Sequence, residues 1–330
     1  MPALRRRETA RGLNLGVLVT GAGGFIGSHV VRRLLAEGEE VHALLRDEAK
    51  AERLAGLGGL RRWTGDLSDC AALEKCLKGT RPERIFHCAG VSRARHMSGW
   101  EPVREAQRVN VDGLVNLLEA VSISGAPVRS LIRLGGLEEY GSGPAPFVES
   151  QREAPRSAYS ASQVAGTHLL QALQPTLPFA AVTLRPALIY GPGQSTDFMI
   201  PALIGALLAG RPFPLTEGRQ RRDLLHIDDL VTAMLTASTK DGLGGEVINV
   251  ATGVARQVRT VARAIGRITG RMQLLRFGEL PERPNDIADL RGDSSKAERL
   301  LGWRSAIPLA RGLANTIEWH RSMSSKGCAA

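Results

Sequence analysis

Aromatic residues are scarce in this 330-residue chain: four tryptophans, three tyrosines and seven phenylalanines, 4% of the total. A core must therefore be packed from Ala, Val, Leu and Ile, and the scarcity argues against a surface that binds single-stranded nucleic acid by stacking bases on rings. Cysteine is sparse as well. Cys70, Cys76, Cys88 and Cys328 form no CxxC pair, and no histidine stands at metal-ligand spacing from them. That argues against a disulfide scaffold or a metal site, and for reduced thiols in a cytoplasmic protein. Long apolar runs are missing too. The stretch from Gly12 to Val31 carries no Lys, Arg, Asp or Glu, but its six glycines suit a strand, a turn and a helix better than a membrane span. The basic residues at the start lack the apolar segment of a secretory signal, so residues 1–13 are expected to form a flexible tail. There is no internal repeat and no low-complexity tract.

What the chain does have is positive charge: 43 Lys and Arg against 33 Asp and Glu give +10. Such an excess points to an anionic partner: nucleic acid, a membrane surface or a phosphorylated small molecule. The basic clusters are small, at Arg5-Arg6-Arg7 and Arg61-Arg62, and no aromatics interleave them, so nucleic acid is not expected. The first half alternates short apolar runs with helical patterns. Strands are expected at Gly16–Thr20, Val41–Leu45, Leu60–Trp63, Ile85–Ala89, Ser130–Leu134 and Ala181–Leu184. Ile26, Val30 and Leu34 mark one helix face, and Val111, Leu114, Leu117, Leu118 and Val121 another. This alternation predicts an α/β fold with a doubly wound parallel sheet. Prolines interrupt the pattern after Gly191, a strand at Glu246–Val250 is expected to rejoin the sheet, and the chain from about Arg256 reads as mainly helical.

Thr20-Gly21-Ala22-Gly23-Gly24-Phe25-Ile26-Gly27 follows the first strand and opens the first helix. Glycines at 21, 24 and 27 permit a tight turn, close approach of backbone to a pyrophosphate, and close packing of helix on sheet. The helix N-terminus then faces the negative charge, so this segment predicts a dinucleotide-binding loop of Rossmann type. In such folds an acidic residue at the end of the second strand takes the ribose hydroxyls. Here the strand ends Leu44-Leu45-Arg46-Asp47, and a guanidinium at Arg46 suits a 2′-phosphate. That favours NADP, with NAD the alternative if Arg46 is solvated or stacks on adenine.

The glycine loop is followed in order by Gly65-Asp66-Leu67, His87-Cys88-Ala89-Gly90, Asn110, Tyr159-Ser160-Ala161-Ser162, Leu184-Arg185-Pro186 and Tyr190-Gly191-Pro192-Gly193. Then come Arg222-Asp223-Leu224-Leu225-His226, Asn249-Val250 and Leu300-Leu301-Gly302-Trp303. In this order the chain resembles the extended short-chain dehydrogenase/reductase family, over nearly all of its length beyond residue 14. The resemblance implies a cofactor domain at 14–190, with a returning segment at about 224–252. It also implies a smaller C-terminal α/β substrate domain from 191–223 and 253–330, commonly for a nucleotide-sugar. Asp66 and Leu67 would lie by the adenine. Phe25, Ile26, Cys88, Ala89, Gly90, Asn110 and Pro186 would complete the cofactor site, and Ser92 would touch substrate. A homodimer through helices around Asn110–Val121 and Ser160–Leu173 is implied as well.

The family's chemistry uses a tyrosine, a lysine four residues later, and a Ser or Thr at a nearby strand end. Tyr159 is present, but Gln163 holds the lysine position and Gly136 the Ser/Thr position. An ordinary tyrosine with a pKa of about 10 is only about 0.1% ionised at neutral pH, and glutamine brings hydrogen-bonding groups but no charge. Ketone reduction suffers least, because neutral tyrosine already donates a proton. Glu138 matches a glutamate of the family's 4,6-dehydratases, whereas Leu137 stands where many of them carry an acid. Arg222 and Arg283 match arginines that hold a substrate diphosphate. The reading is an NADP-linked 4-ketoreductase of a nucleotide-sugar. Its alternatives are a 4-epimerase, a dehydratase, or a catalytically impaired cofactor-binding protein. On the sequence alone, Gln163→Lys with Gly136→Ser would restore the family's triad.

Overall fold

The computed structural model describes residues 16–91, 99–282 and 286–327. Seven parallel strands form its centre: β1 Val17–Thr20, β2 Val41–Leu45, β3 Leu60–Thr64, β4 Arg84–His87, β5 Ser130–Leu134, β6 Ala180–Pro186 and, later in the chain, β10 Val247–Val250. Their spatial order is β3-β2-β1-β4-β5-β6-β10. The reversal from β1 to β4 opens a crevice at the carboxyl ends of the strands, the usual ligand position in open α/β sheets. The expected strands appear within a few residues of their sequence boundaries, and β10 joins the edge of β6 with Val247 opposite Thr183.

Side-chain alternation explains why both faces are covered. Val17 and Val19 of β1 pack on one face with α1 Phe25–Ala36 and α7 Ile227–Ser238. Leu18 points to the other, toward α2 Cys70–Thr80 and α4 Gly113–Ser124. The same split separates Phe86 from Ile85 in β4 and Ile132 from Leu131 in β5. Arg133 follows Ile132, so its position falls on the face of Leu131, the face that α5 Ala158–Leu173 covers through Leu170. Before α4, helix α3 Glu101–Gln107 runs straight into a π-helical turn at Arg108–Asp112. Such single turns recur at functional sites.

Beyond the sheet a separate apolar cluster joins α6 Met199–Leu208, α8 Val258–Thr269 and α10 Leu309–Gly327. The region from Arg256 onward holds more strand than its mainly helical sequence pattern suggests. A second sheet is built on β9 Arg221–His226, with β7 Leu188–Tyr190, β11 Ala255–Gln257 and β13 Asp289–Leu290 beside it. A further pair joins β8 Phe213–Leu215 to β12 Leu275–Phe277. Strands of two or three residues carry too few alternations to show a period of two in sequence. The short helix α9 Ser295–Leu301 ends at Gly302 and packs beside β10.

Candidate active site

The glycine loop lies between β1 and α1. Gly21 has φ +65, and a Cβ there would stand 2.5 Å from the Ala89 backbone nitrogen, so the turn needs glycine for its conformation and for its closeness to β4. A Cβ on Gly27 would overlap the Gly21 carbonyl and reach 2.9 Å from Ala22 Cα. Gly24 caps α1 without a side chain, which leaves the first N–H groups of the helix open toward the crevice. Phe25 and Ile26 pack beside the core beneath this loop. The sequence reading overlooked Arg53, whose guanidinium donates to the Gly193 carbonyl (3.1 Å) and the Gly23 carbonyl (3.5 Å) and so places a cation beside the loop.

The neighbouring strand ends carry the other expected cofactor residues. Arg46 is exposed just past β2, close enough that its charge, with that of Arg108, helps hold the Asp66 carboxyl below its ordinary pKa. The larger cause of that lowering is the Ser68 hydroxyl and N–H, which donate to Asp66 Oδ1 at 2.7 and 2.9 Å. The Leu67 carbonyl accepts from Asn116 Nδ2 at 2.8 Å. Past β4, Cys88, Ala89 and Gly90 pass beside Gly21, and the Cys88 N–H donates to the Thr20 carbonyl at 3.1 Å. Asn110, buried in the π-helical turn, accepts from the Val91 N–H (2.9 Å) and donates to the Ser162 hydroxyl (2.9 Å). It therefore clamps the loop after β4 to α5. Pro186 ends β6, buried.

Ser157 caps α5 reciprocally with Ser160, which sets the helix start and places Tyr159 in the first turn. Gln163 follows one turn later on the same face. Gly136 has extended backbone that any residue adopts, and a Cβ built on it would lie 4.0 Å from the Tyr159 hydroxyl oxygen. Tyr159, Gln163 and Gly136 are thus brought together at the carboxyl end of β5. Glu138 is half-buried in the next turn, Leu137–Tyr140.

Beneath them lies a charged layer that the sequence reading did not anticipate. Arg133 and Arg185 are the two largest fully buried side chains of the chain's described residues. Glu139, 0% exposed, accepts from Arg185 Nε (2.9 Å), the Thr167 hydroxyl (2.8 Å) and the Gly136 N–H (2.9 Å). Arg185 also meets Glu153 at 2.6 Å and lies over the Tyr140 ring. Arg133 Nη2 donates to Gln163 Oε1 (2.7 Å) and to the Gln163 carbonyl (3.0 Å), while Nη1 donates to the Thr167 hydroxyl (3.0 Å). One signal was available in the sequence: Arg133 is a lone cation within the apolar run Leu131-Ile132-Arg133-Leu134. Glu139 could not be told from Glu138 without the structure.

On the substrate side, Arg222 in β9 donates to the Ile287 carbonyl (2.5 Å) and pairs with Asp286. Ser92 and Arg283 lie outside the described residues. No group of three or more potential metal ligands occurs among the described residues, and none of their helices is long and apolar enough to cross a membrane.

The model of the NAD dependent epimerase/dehydratase family matches residues 17–251. A UDP-glucose 4-epimerase of Mycolicibacterium smegmatis is 35% identical over 318 residues, 93% of this chain and 99% of that protein. A dTDP-glucose 4,6-dehydratase of Xanthomonas campestris pv. campestris is 31% identical, with 92% of each chain covered. Among solved structures, MoeE5 in complex with UDP-glucuronic acid and NAD superposes with a TM-score of 0.84 at 33% identity. That match covers 93% of this chain and 99% of that one. The UDP-glucose 4-epimerase of Thermotoga maritima with UDP-glucose gives 0.86 at 28% identity, over 94% and 100%.

Proposed function

The chain belongs to the NAD dependent epimerase/dehydratase family, and from that premise we propose that it is an oxidoreductase that reduces a 4-keto group on a nucleotide-sugar. The observation that carries this reading is the placement of the Tyr159 hydroxyl, 4.0 Å from the Cβ position of Gly136 and one helical turn before Gln163. The bare backbone of Gly21, Gly24 and Gly27 and the open N-terminus of α1 form a cradle that fits the pyrophosphate of a nicotinamide dinucleotide. When bound, that cofactor carries the hydride. Tyr159 donates the proton to the sugar oxygen, which needs no prior ionisation. Gln163 turns its remaining amide donor to the nicotinamide ribose. An exposed guanidinium at Arg46, just past β2, suits a 2′-phosphate, which supports reading the cofactor as NADP, although solved relatives carry NAD. Arg222 is tied to Asp286, three residues after Arg283, and these two arginines are assigned to the diphosphate. Glu138 and Ser92 are assigned to the sugar.

A second reading, 4-epimerisation, is favoured by the buried Arg133 cation below Gln163, because epimerisation needs a base as well as an acid. Elimination of water across C5 and C6 is disfavoured. Leu137, where many dehydratases place an acid, is 1% exposed and packs into the core.

The test is an assay of purified protein with UDP- and dTDP-linked 4-ketosugars and either NADPH or NADH. Net oxidation of NADPH is expected, faster than that of NADH. Arg46→Ala should weaken NADP binding about ten- to hundredfold, the worth of a hydrogen bond to a charged group. Gly136→Ser should raise turnover by up to about tenfold. Interconversion of UDP-glucose and UDP-galactose without net cofactor oxidation would move the assignment to the epimerase. Bound cofactor with neither reaction would leave a silent binding protein and end the enzyme reading.

Two copies are inferred to pair through α4 and α5. Trp100, Val103, Val115 and Ile123, four of the exposed large apolar side chains, all fall between residues 100 and 123. Sedimentation velocity at micromolar concentration should show a dimer, and a monomer there would count against the pairing. Cys70, Cys76 and Cys88 are free thiols, which suits a reducing compartment and a cytoplasmic protein.

A further inference from the structure

The charge missing from position 163 has a physical substitute on the neighbouring strand. Arg133 stands in β5, opposite His87 of β4 and Thr183 of β6, and is 2% exposed. Its guanidinium crosses to α5 at Gly166, where a Cβ would come within 2.9 Å of Arg133 Cζ and 3.0 Å of Nε. The helix is therefore cut away at the one turn where the cation lies. A guanidinium only donates, so the Gln163 oxygen must face it, and the amide Nε2 is the group left to turn outward. Among the described residues Arg133 forms no ion pair: its partners are Gln163, by side chain and carbonyl, and the Thr167 hydroxyl. Its direct partners are neutral, and the carboxylate that acts on it, Glu139, is joined to it only through the Thr167 hydroxyl and is itself paired with Arg185, so part of the guanidinium's field is left to act on the site above.

We propose that Arg133 supplies the cation that position 163 lacks, orienting Gln163 toward the cofactor ribose and stabilising the phenolate form of Tyr159. The proposal deepens the assignment of Tyr159 as the acid–base group and rests on it. Arg133 is a positioning residue, acting on Tyr159 by its field and on the cofactor through Gln163. Among the described residues, the charged and titratable groups of the adjoining strands and turn do not fill this role. His87 on β4 is pushed down to about 3 by burial, with the Arg133 charge adding to the effect, and is neutral. Arg185 on β6 is paired with both Glu139 of the turn after β5 and Glu153 of the segment before α5. Glu138, in the same turn, is an acidic residue and brings no cation. Arg133 itself is drawn below its ordinary value by burial, while Glu139 and an ionised Tyr159 act to keep it charged. The attraction between Arg133 and the phenolate is mutual.

The chain's poverty in tyrosine makes the proposal measurable without any substrate. Burial pushes Tyr140 up to about 12 and raises Tyr190 further, so Tyr159 is the tyrosine left to ionise at lower pH. The experiment is an ultraviolet phenolate titration of the full chain from pH 6 to 11, with Tyr159→Phe to assign the first step. Tyr159 should ionise about one unit or more below the ordinary value of about 10. In Arg133→Met the midpoint should rise by about one unit. In Arg133→Gln, which retains a donor for Gln163 without the charge, it should rise likewise, and this variant serves if Arg133→Met does not fold. Arg133→Lys should hold the midpoint low. A wild-type midpoint at or above 10, or one unmoved in either neutral variant, overturns the proposal. An absence of turnover with ketosugars bears on the enzyme assignment and leaves this titration readable.

Discussion

Gln163→Lys, the substitution that would restore the family's lysine, is expected to destabilise the protein by up to about 4–5 kcal/mol at pH 7. The Gln163 side-chain oxygen lies 2.7 Å from Arg133 Nη2, within a buried layer. An ammonium placed there would meet a guanidinium in low dielectric. Lysine avoids this by giving up its proton, so the cost is bounded by deprotonation at pH 7 of a group whose ordinary pKa is about 10.4. The dependence on pH follows. The variant's folded-state lysine has a lowered pKa, the unfolded chain binds the extra proton, and stability therefore rises with pH up to about 10. The gap to wild type should be wide at pH 7 and below and mostly closed by about pH 10. Urea unfolding of wild type, Gln163→Lys, Arg133→Met and the double variant at pH 7 and 9.5 checks both points. The double variant should recover about 2 kcal/mol or more relative to the sum of the single changes. Equal stability of Gln163→Lys and wild type at pH 7, or a double variant that shows no coupling, would refute the like-charge argument.

Glu139→Ala carries the second large effect. The carboxylate accepts from Arg185, from Thr167 and from the Gly136 N–H with none of its surface exposed. Removing it leaves a buried guanidinium with Glu153 alone, a hydroxyl with one partner fewer, and an orphaned N–H at the turn that carries Gly136. Breaking a buried ion pair from one side costs about 3–5 kcal/mol, which lowers the melting temperature by on the order of 10 °C in a chain of this size. Glu139→Ala with Arg185→Met should lose less than the two single losses added together, because the charge left stranded by the first change is removed by the second. A melting temperature within about 2 °C of wild type in Glu139→Ala would mean that the layer contributes little.

These variants bear on how the site differs from the family's usual arrangement. A lysine and a hydroxyl are absent from positions 163 and 136, yet the surroundings of both positions differ in kind. Position 136 has room: the nearest atoms to its Cβ position are 4.0 Å away, so serine fits there without displacement. Position 163 has no such tolerance, because its partner is already a cation. The two missing groups are therefore not equivalent. Restoring the hydroxyl is expected to help, whereas restoring the ammonium is expected to harm unless Arg133 is removed with it.

Much of the fold was legible from local pattern. Apolar runs marked six strands of the parallel sheet and the return of β10, because the central strands are buried on both faces and are rich in Val, Ile, Leu and Ala, while the edge strand β3, Leu-Arg-Arg-Trp-Thr, is only partly buried. The glycine loop was legible because steric need leaves few residue choices at Gly21 and Gly27. The tyrosine and its two unusual companions were legible through resemblance and spacing. The small strands β11 to β13 were not, since elements of two or three residues owe their existence to β9 and β8 beside them. The charged layer was not legible either. Arg133, Glu139, Thr167 and Arg185 are spread over 53 positions of sequence, and only the parallel pairing of β5 with β6 and the crossing of α5 bring them within hydrogen-bond reach.

By itself, then, the sequence determined the sheet, the cofactor loop, and the presence of Tyr159 without lysine or serine at the expected places. These follow from short-range rules: side-chain periodicity, turn sterics and residue spacing on one helix face. Where the positive charge stands was decided by tertiary structure alone. Charge acts through space, and its effect depends on distance and burial, neither of which position along the chain records. A cation on strand β5 and the glutamine at position 163 of α5 look unrelated in sequence, and in the folded protein they are hydrogen-bonded at 2.7 Å.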